Sequence, residues 1–545
     1  MRSRRVVGRV ALLSCLLGLV LTAPATGQSP AAAADPPSAD QVTVTGGALR
    51  GTVTADRRSF LGIPYAAPPT GDRRFRPPQV AASWSGTRDA TKSGNNCPQA
   101  PVLGTPNEDC LVLDVHTPPV AKSVNVPVLV WFHGGGYLTG SAAAYDPAPL
   151  VTKGNVIVVG VNYRLGPLGF LALPGLAAES QTTGNYGILD QQAGLRWVQQ
   201  NIRAFGGDPN NVTIFGESAG GHSVCMQLIA PAAKGLFDKA ISESGGCVGT
   251  GTGKRAGLGP MPVAQAYATG NALAAAVGCG EAASAVACLR GKPAVDLLNA
   301  KTSSASMSPD WVPTIDGAVI KETTQAALKS GRYHKVPLLV GTNKDEGRLF
   351  LALQWHLGKL RSANATDLAD WIRDQGGSVA TDLLTRYPAA SDQNADVALA
   401  AAMTDSTFAC AAEAVAQSAE PSQPQAVYQY EFADPKAPFA GLDPFLSLGA
   451  YHGSELFSLF STVMGIPFAD ALLADDQKKL SAQMISYWTN FARTGDPNGP
   501  GVPTWPALTP DSGQIQRLTP EGPAPFPAST FSTNHQCALW RKLAN

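Results

Sequence analysis

The sequence carries no surplus of either charge. Lys and Arg total 41 and Asp and Glu total 41, a net charge of zero. No basic surface for nucleic acid or anionic lipid is therefore implied, and the expected partner is a small, largely uncharged molecule. There is no Cys-x-x-Cys pair, the spacing that would suggest a zinc or redox site. Beyond the N-terminal segment no uncharged apolar run is long enough to span a bilayer, so stable membrane insertion is not expected. Internal repeats are missing too, which excludes solenoids and arrays. Histidine is scarce at seven residues, leaving few candidates for acid–base chemistry.

What is present is a chain of 545 residues, 44% of them hydrophobic, enough for a large buried core. Length alone would suggest several domains, but the reactive residues identified below come from both halves of the chain and imply one. The first residues combine Arg2, Arg4, Arg5 and Arg9 with an apolar run from Val10 to Leu21 and small residues near Ala25 and Ala34, the pattern of a secretory signal peptide. Ser3-Arg4-Arg5 loosely matches a twin-arginine signal. Leu12-Leu13-Ser14-Cys15 loosely matches a lipoprotein site, but the apolar run continues past Cys15. An Ala/Pro/Ser/Asp stretch from Ala31 to Asp40 reads as an unstructured leader. The expected organisation is signal peptide and leader over 1–34, a linker over 35–40, and a single domain over 41–545. Without Cys15, eight cysteines remain, an even number that predicts disulfides rather than a metal site in an exported protein.

Val42–Thr45 and Gly51–Thr54, around a Gly-Gly pair, predict a small antiparallel hairpin at a sheet edge. Val126–Phe132, Val156–Val161, Val212–Phe215, Ala240–Ser244 and Val336–Gly341 are short, continuous apolar runs separated by helix-length segments such as Gln191–Asn201. Continuous apolarity indicates strands covered on both faces, hence an α/β fold with a mainly parallel sheet between helices.

Asn211-Val-Thr-Ile-Phe-Gly-Glu-Ser-Ala-Gly220 places a strand directly before Gly216-x-Ser218-x-Gly220 and a small-residue helix start directly after. Glycines two before and two after a serine allow a strand-to-helix turn so sharp that the hydroxyl stands free, the geometry of a nucleophile elbow. A hydroxyl needs a base, and in such folds the order is serine, acid, histidine. Three histidines follow a plausible acid. His356 lies in a helical pattern, and His535, beside Cys537, reads as structural. His452, in the turn-rich Gly449-Ala-Tyr-His-Gly-Ser-Glu455, fits an imidazole reaching across the sheet. Gly341-Thr-Asn-Lys-Asp-Glu-Gly347 follows a predicted strand and offers Asp345 or Glu346 as its partner, between which the residues alone do not choose. Trp131-Phe-His-Gly-Gly-Gly-Tyr137 places three glycines after a strand. Backbone N–H groups there, with that of Ala219, can approach a carbonyl oxygen as oxyanion donors.

Assembled, these features resemble the type B carboxylesterase and lipase family, which includes cholinesterases and bacterial p-nitrobenzyl esterases. The resemblance runs from about Val42 to Trp540. It rests on Phe60-Leu-Gly-Ile-Pro-Tyr-Ala, Arg74-Phe-Arg-Pro-Pro, Glu108-Asp-Cys-Leu, the His-Gly-Gly-Gly loop, Val161-Asn-Tyr-Arg-Leu-Gly-Pro-Leu-Gly-Phe, Asn185-Tyr-Gly-Ile-Leu-Asp-Gln and the serine elbow. It implies an α/β-hydrolase fold with a Ser218–Glu346–His452 triad, oxyanion donors at Gly135, Gly136 and Ala219, Glu217 and Ser244 around the histidine, and Trp311 lining the acyl pocket. It also implies disulfides Cys97–Cys110 and Cys279–Cys288, with Cys410 and Cys537 as a further pair and Cys225 and Cys247 as either a fourth pair or two buried thiols. Arg74 with Glu108, and Arg164 with Asp190, resemble the family's structural ion pairs.

One departure bears on substrate. The twelve residues from Pro98 to Asp109 contain no aromatic, which argues against cation–π recognition of a choline group and against a lipase lid in this loop. The expectation is a secreted serine esterase acting on esters of short to medium acyl chains, with no metal or organic cofactor. The rival readings are a triacylglycerol lipase and a non-catalytic, esterase-like binding domain; the presence of serine, acid and histidine in order speaks against the second. Asn211-Val-Thr213 and Asn364-Ala-Thr366 match glycosylation acceptors, but the first runs into the strand before Ser218 and no sugar is assigned.

Overall fold

Val126–Phe132 is buried at every position, as an all-apolar strand must be when both faces are covered. In the computed structural model it lies near the middle of an eleven-stranded sheet. The structure describes residues 39–99, 107–122, 124–249, 259–300, 310–356, 363–388, 392–438, 446–509 and 513–543. The signal peptide and leader over 1–34, and the linker up to residue 38, lie outside the described residues.

From one edge to the other the strands run Ala524–Pro527, Gln514–Leu518, Val427–Phe432, Leu338–Asn343, Lys239–Glu243, Gly207–Glu217, Val126–Phe132, Ile157–Val161, Val112–Thr117, Arg58–Pro64 and Thr52–Val53. The strands from Gln514–Leu518 through Ile157–Val161 are parallel to their neighbours. Those at both edges are antiparallel. This is the α/β-hydrolase arrangement. Two large apolar clusters pack around the sheet: one includes Phe60, Val130 and Leu195, the other Trp131, Phe215 and Trp488. Among the described residues no helix is long and apolar enough to cross a membrane.

The five strands expected from apolar runs are all present, Val126–Phe132 with the expected ends and the other four with ends shifted by between one and five residues. Helix Tyr186–Asn201 covers the predicted Gln191–Asn201. The N-terminal hairpin differs. Gln41–Val44 pairs with Gly47–Arg50, while Thr52–Val53 turns away to join the edge of the large sheet beside Arg58–Ser59. The turn is therefore Thr45–Gly46, with Gly47 already in the second strand. A Cβ at either glycine would fall within 2.7 Å of the Trp84 indole, so the ring requires glycine there.

The described residues contain four disulfides: Cys97–Cys110, Cys225–Cys247, Cys279–Cys288 and Cys410–Cys537. Cys225 and Cys247 are thus bonded and not a pair of thiols. Arg164 makes a bidentate ion pair with Asp190, both contacts at 2.7 Å and fully buried. Arg74 likewise pairs with Glu108, its guanidinium also donating to the carbonyls of Leu289 and Arg290. Asn364 is an N-cap, its side chain accepting from the N–H groups of Thr366 and Asp367, which stabilises the helix it opens.

Candidate active site

The strand Gly207–Glu217 ends at Ser218, and helix Ala219–Ile229 begins one residue later. Ser218 has φ 58° and ψ −123°, a conformation that costs about 1–3 kcal/mol for a residue other than glycine. The turn is held by Ser218 N–H donating to Glu243 O at 2.9 Å and by His222 N–H donating to Ser218 O at 2.8 Å. The flanking glycines are sterically compulsory. A Cβ on Gly220 would sit 1.9 Å from Phe132 O, and one on Gly216 would sit 2.6 Å from the same oxygen.

The His133–Gly140 loop follows strand Val126–Phe132. Burial pushes the His133 imidazole down to about 4, so it is neutral, and its Nδ1–H donates to Gly134 O at 2.9 Å. The ring stacks on Tyr163 at 4.4 Å. Gly135 has φ 105° and packs against Thr139 O, whereas a Cβ on Gly136 would meet nothing within 4 Å. Gly135 and Gly136 border an open space that Ser218 also faces. Ala219, first in its helix, has an N–H without an intrahelical acceptor.

His452 lies between two glutamates. Its Nδ1 is 2.6 Å from Glu346 Oε2. Glu346 is fully buried, and its Oε1 accepts from Thr342 Oγ1 at 2.8 Å and Asn343 N–H at 2.7 Å. Asp345 points elsewhere, pairing with Arg348 at 2.7 Å and accepting from Ala450 N–H. On the other side of the ring, Nε2 is 3.1 Å from Glu217 Oε1 but not aligned for a hydrogen bond. Burial, then the charges of Glu346 and Glu243, raises the Glu217 carboxyl well above its ordinary range. Burial raises Glu243 to about 8, against a hydrogen bond from Trp488 Nε1–H. Glu455 is raised by burial and by the same neighbours. Burial thus shifts these carboxyls toward their neutral forms, which limits the negative charge gathered around the imidazole.

Ser218, His452, Glu217 and the glycine loop share one cavity of about 590 Å³, a normal size for a small-molecule site. Its far wall is apolar, formed by Leu349, Phe350, Leu353, Trp371, Met403 and Phe408, with Met464 at an exposed hairpin turn. Phe350 and Phe408 stack on one another at 5.8 Å and lie 4.9 and 4.7 Å from the imidazole. Phe408 belongs to a π-helical turn, Asp405–Ala409, and such turns often mark functional walls.

Trp311, expected in the acyl pocket, is buried in the main core and does not line this cavity. Trp371, Phe350 and Phe408 are the aromatic residues lining that wall. They were not legible in the sequence, since nothing local separates a cavity aromatic from a core one. Ser244 is buried one residue beyond its strand, with φ 48°, its N–H bonded to Gly341 O. His535 lies between Asp405 and Glu431, at 2.5 and 2.9 Å, and does not line the Ser218 cavity.

The sequence matches the family model described as the carboxylesterase family over residues 38–540. It is 35% identical to the carboxylesterase 1E of Rattus norvegicus over 497 residues, covering 84% of this chain and 85% of that protein. It is 35% identical to the para-nitrobenzyl esterase of Bacillus subtilis, with 86% and 92% covered, and 34% identical to the liver carboxylesterase of Sus scrofa, with 92% and 93% covered. With this fold and these relatives over most of its length, the chain belongs to the carboxylesterase family and is a carboxylic ester hydrolase.

Proposed function

We propose that the protein is a secreted serine esterase that cleaves esters of short to medium acyl chains through Ser218, His452 and Glu346. His452 Nε2 takes the proton of Ser218 as its oxygen bonds to the ester carbonyl carbon. The resulting oxyanion is held by the N–H groups of Gly135, Gly136 and Ala219, each such donor being worth about 3 kcal/mol of barrier. The C–O bond to the alcohol then breaks as His452 returns the proton to the departing oxygen. Water, deprotonated by His452, attacks the acyl-enzyme in the same manner and frees the acid. Glu346 orients the ring by its Nδ1–H and stabilises the imidazolium.

The observation that carries this reading is the 2.6 Å contact between His452 Nδ1 and Glu346 Oε2 beside a cavity that Ser218 and Gly136 share. Export is supported by the charged and apolar N-terminal pattern and by four disulfides, which persist in oxidising compartments. The acyl-chain range is inferred from an apolar but bounded cavity.

The test is hydrolysis of p-nitrophenyl acetate, butyrate, octanoate and palmitate by the exported protein and by Ser218→Ala. Activity should peak on the shorter chains and vanish in the variant. A palmitate optimum would contradict the substrate range, and activity surviving in Ser218→Ala would contradict the mechanism.

A further inference from the structure

We infer that Gln99 is a positioning residue for the oxyanion-binding loop and acts through Gly140. The inference rests on the assignment of Gly135 and Gly136 as oxyanion donors. Gln99 is half-buried in the wall of the catalytic cavity. Its carboxamide grips a single residue from both sides: Gly140 N–H donates to Gln99 Oε1 at 2.9 Å, and Gln99 Nε2–H donates to Gly140 O at 3.0 Å. The second Nε2 proton goes to Cys97 O at 3.0 Å, and Cys97 is itself bonded to Cys110. Both ends of the carboxamide are thus engaged with backbone, and the side chain is braced by a disulfide behind it.

Gly140 closes the loop that Gly134 opens. It has φ 113°, and a Cβ there would lie 2.4 Å from His133 Nδ1 and 2.6 Å from Gly134 O. It is therefore seated directly on the residues that lead into the donors. Between the two ends, Gly135 O accepts from Leu138 N–H and Thr139 N–H, both at 3.0 Å, so the segment moves as one turn. One end is fixed by strand Val126–Phe132. The other end is held by Gln99, which ties it to the Cys97–Cys110 loop 41 positions away in sequence. Glycines at positive φ are the softest part of any backbone, and a displacement of about 1 Å in a donor can cost roughly 10²-fold in rate.

The test uses the full-length exported protein with Gln99→Met, which keeps the side chain's bulk and removes its hydrogen bonds, and with Gln99→Glu, which keeps the acceptor and loses the donor. Three quantities are measured: kcat and KM on p-nitrophenyl butyrate, inhibition by a trifluoromethyl ketone that forms a tetrahedral adduct with serine, and inhibition by butyrate, which forms none. The expected result is a kcat lower by between about 10- and 100-fold with KM within about two-fold. The ketone should weaken by the same factor as kcat/KM, and butyrate should be unchanged. Unaltered kcat, or a loss of kcat that leaves ketone affinity intact, would overturn the inference. If Ser218→Ala is inactive while both Gln99 variants behave as wild type, the role of Gln99 fails and the serine mechanism stands. If Ser218→Ala remains active, the mechanism itself fails.

Discussion

Glu346 and Asp345 are adjacent in sequence and opposite in surroundings. Glu346 is enclosed, with one oxygen bonded by Thr342 and Asn343 and the other facing His452. Asp345 forms an ion pair with Arg348 that is partly open to solvent. Replacing the buried carboxylate with an amide should leave the shape but favour the wrong imidazole tautomer, so Glu346→Gln is expected to lower kcat by roughly 10²- to 10⁴-fold. Asp345→Asn removes only a partly exposed pair, usually worth under about 1 kcal/mol, and should keep kcat within about three-fold. Steady-state kinetics of the two variants side by side makes the comparison, and equal losses would contradict it. The local sequence could not distinguish the two carboxylates, because both follow the same strand end; only the direction of their side chains separates them.

At the scale of elements, the serine elbow depends on a strand, a helix and the loop after the next strand meeting within van der Waals distance. Gly221, in helix Ala219–Ile229, is packed so closely that a Cβ would lie 2.5 Å from Glu243 O and 3.0 Å from Gly245. One turn further along, Cys225 is bonded to Cys247 in the same loop. Closing a loop of 22 residues stabilises a fold by about 3 kcal/mol. The double variant Cys225→Ala/Cys247→Ala should therefore unfold at lower urea concentration than wild type, whereas an unchanged midpoint would show that this bridge contributes nothing. Elements were legible where the local pattern and the environment agree. Val126–Phe132 is apolar at every position, and its sequence boundaries match the structure. Val427–Phe432, just as buried, was missed because Gln429 and Glu431 interrupt its apolar run; Glu431 is tolerated inside only because Arg517 and His535 meet it there. The π-helical turn at Asp405–Ala409 was illegible for a similar reason, since its residues differ from a normal helix in hydrogen bonding rather than in composition.

Across the whole molecule, the C-terminal segment returns to the body at two neighbouring points, Cys410–Cys537 and His535 between Asp405 and Glu431. Burial alone would depress the His535 imidazole, but the two carboxylates outweigh it and hold the ring up at about 10, against an ordinary 6.5. A histidine raised in the folded state binds its proton more tightly there than in the unfolded chain. Its stabilising contribution is complete below about 6.5 and is lost as pH rises through about 10. The melting temperature of the wild type should accordingly fall between pH 7 and 10. His535→Gln should be less stable at pH 7 and show a shallower fall, and parallel curves would contradict this role. His535 also braces the turn behind the cavity wall, since its partner Asp405 begins the π-helical turn that carries Phe408. Residues as distant in sequence as Gly135 and His452 line one cavity, and the reactive residues proposed from both halves of the chain are why the sequence reads as one large domain rather than several. The most direct test of the central claim is to label the exported protein with a fluorophosphonate and map the modified peptide by mass spectrometry. The account predicts stoichiometric labelling of Ser218, loss of esterase activity in step with it, and no label in His452→Ala. Labelling at another residue, or esterase activity that persists once Ser218 is fully modified, would contradict it.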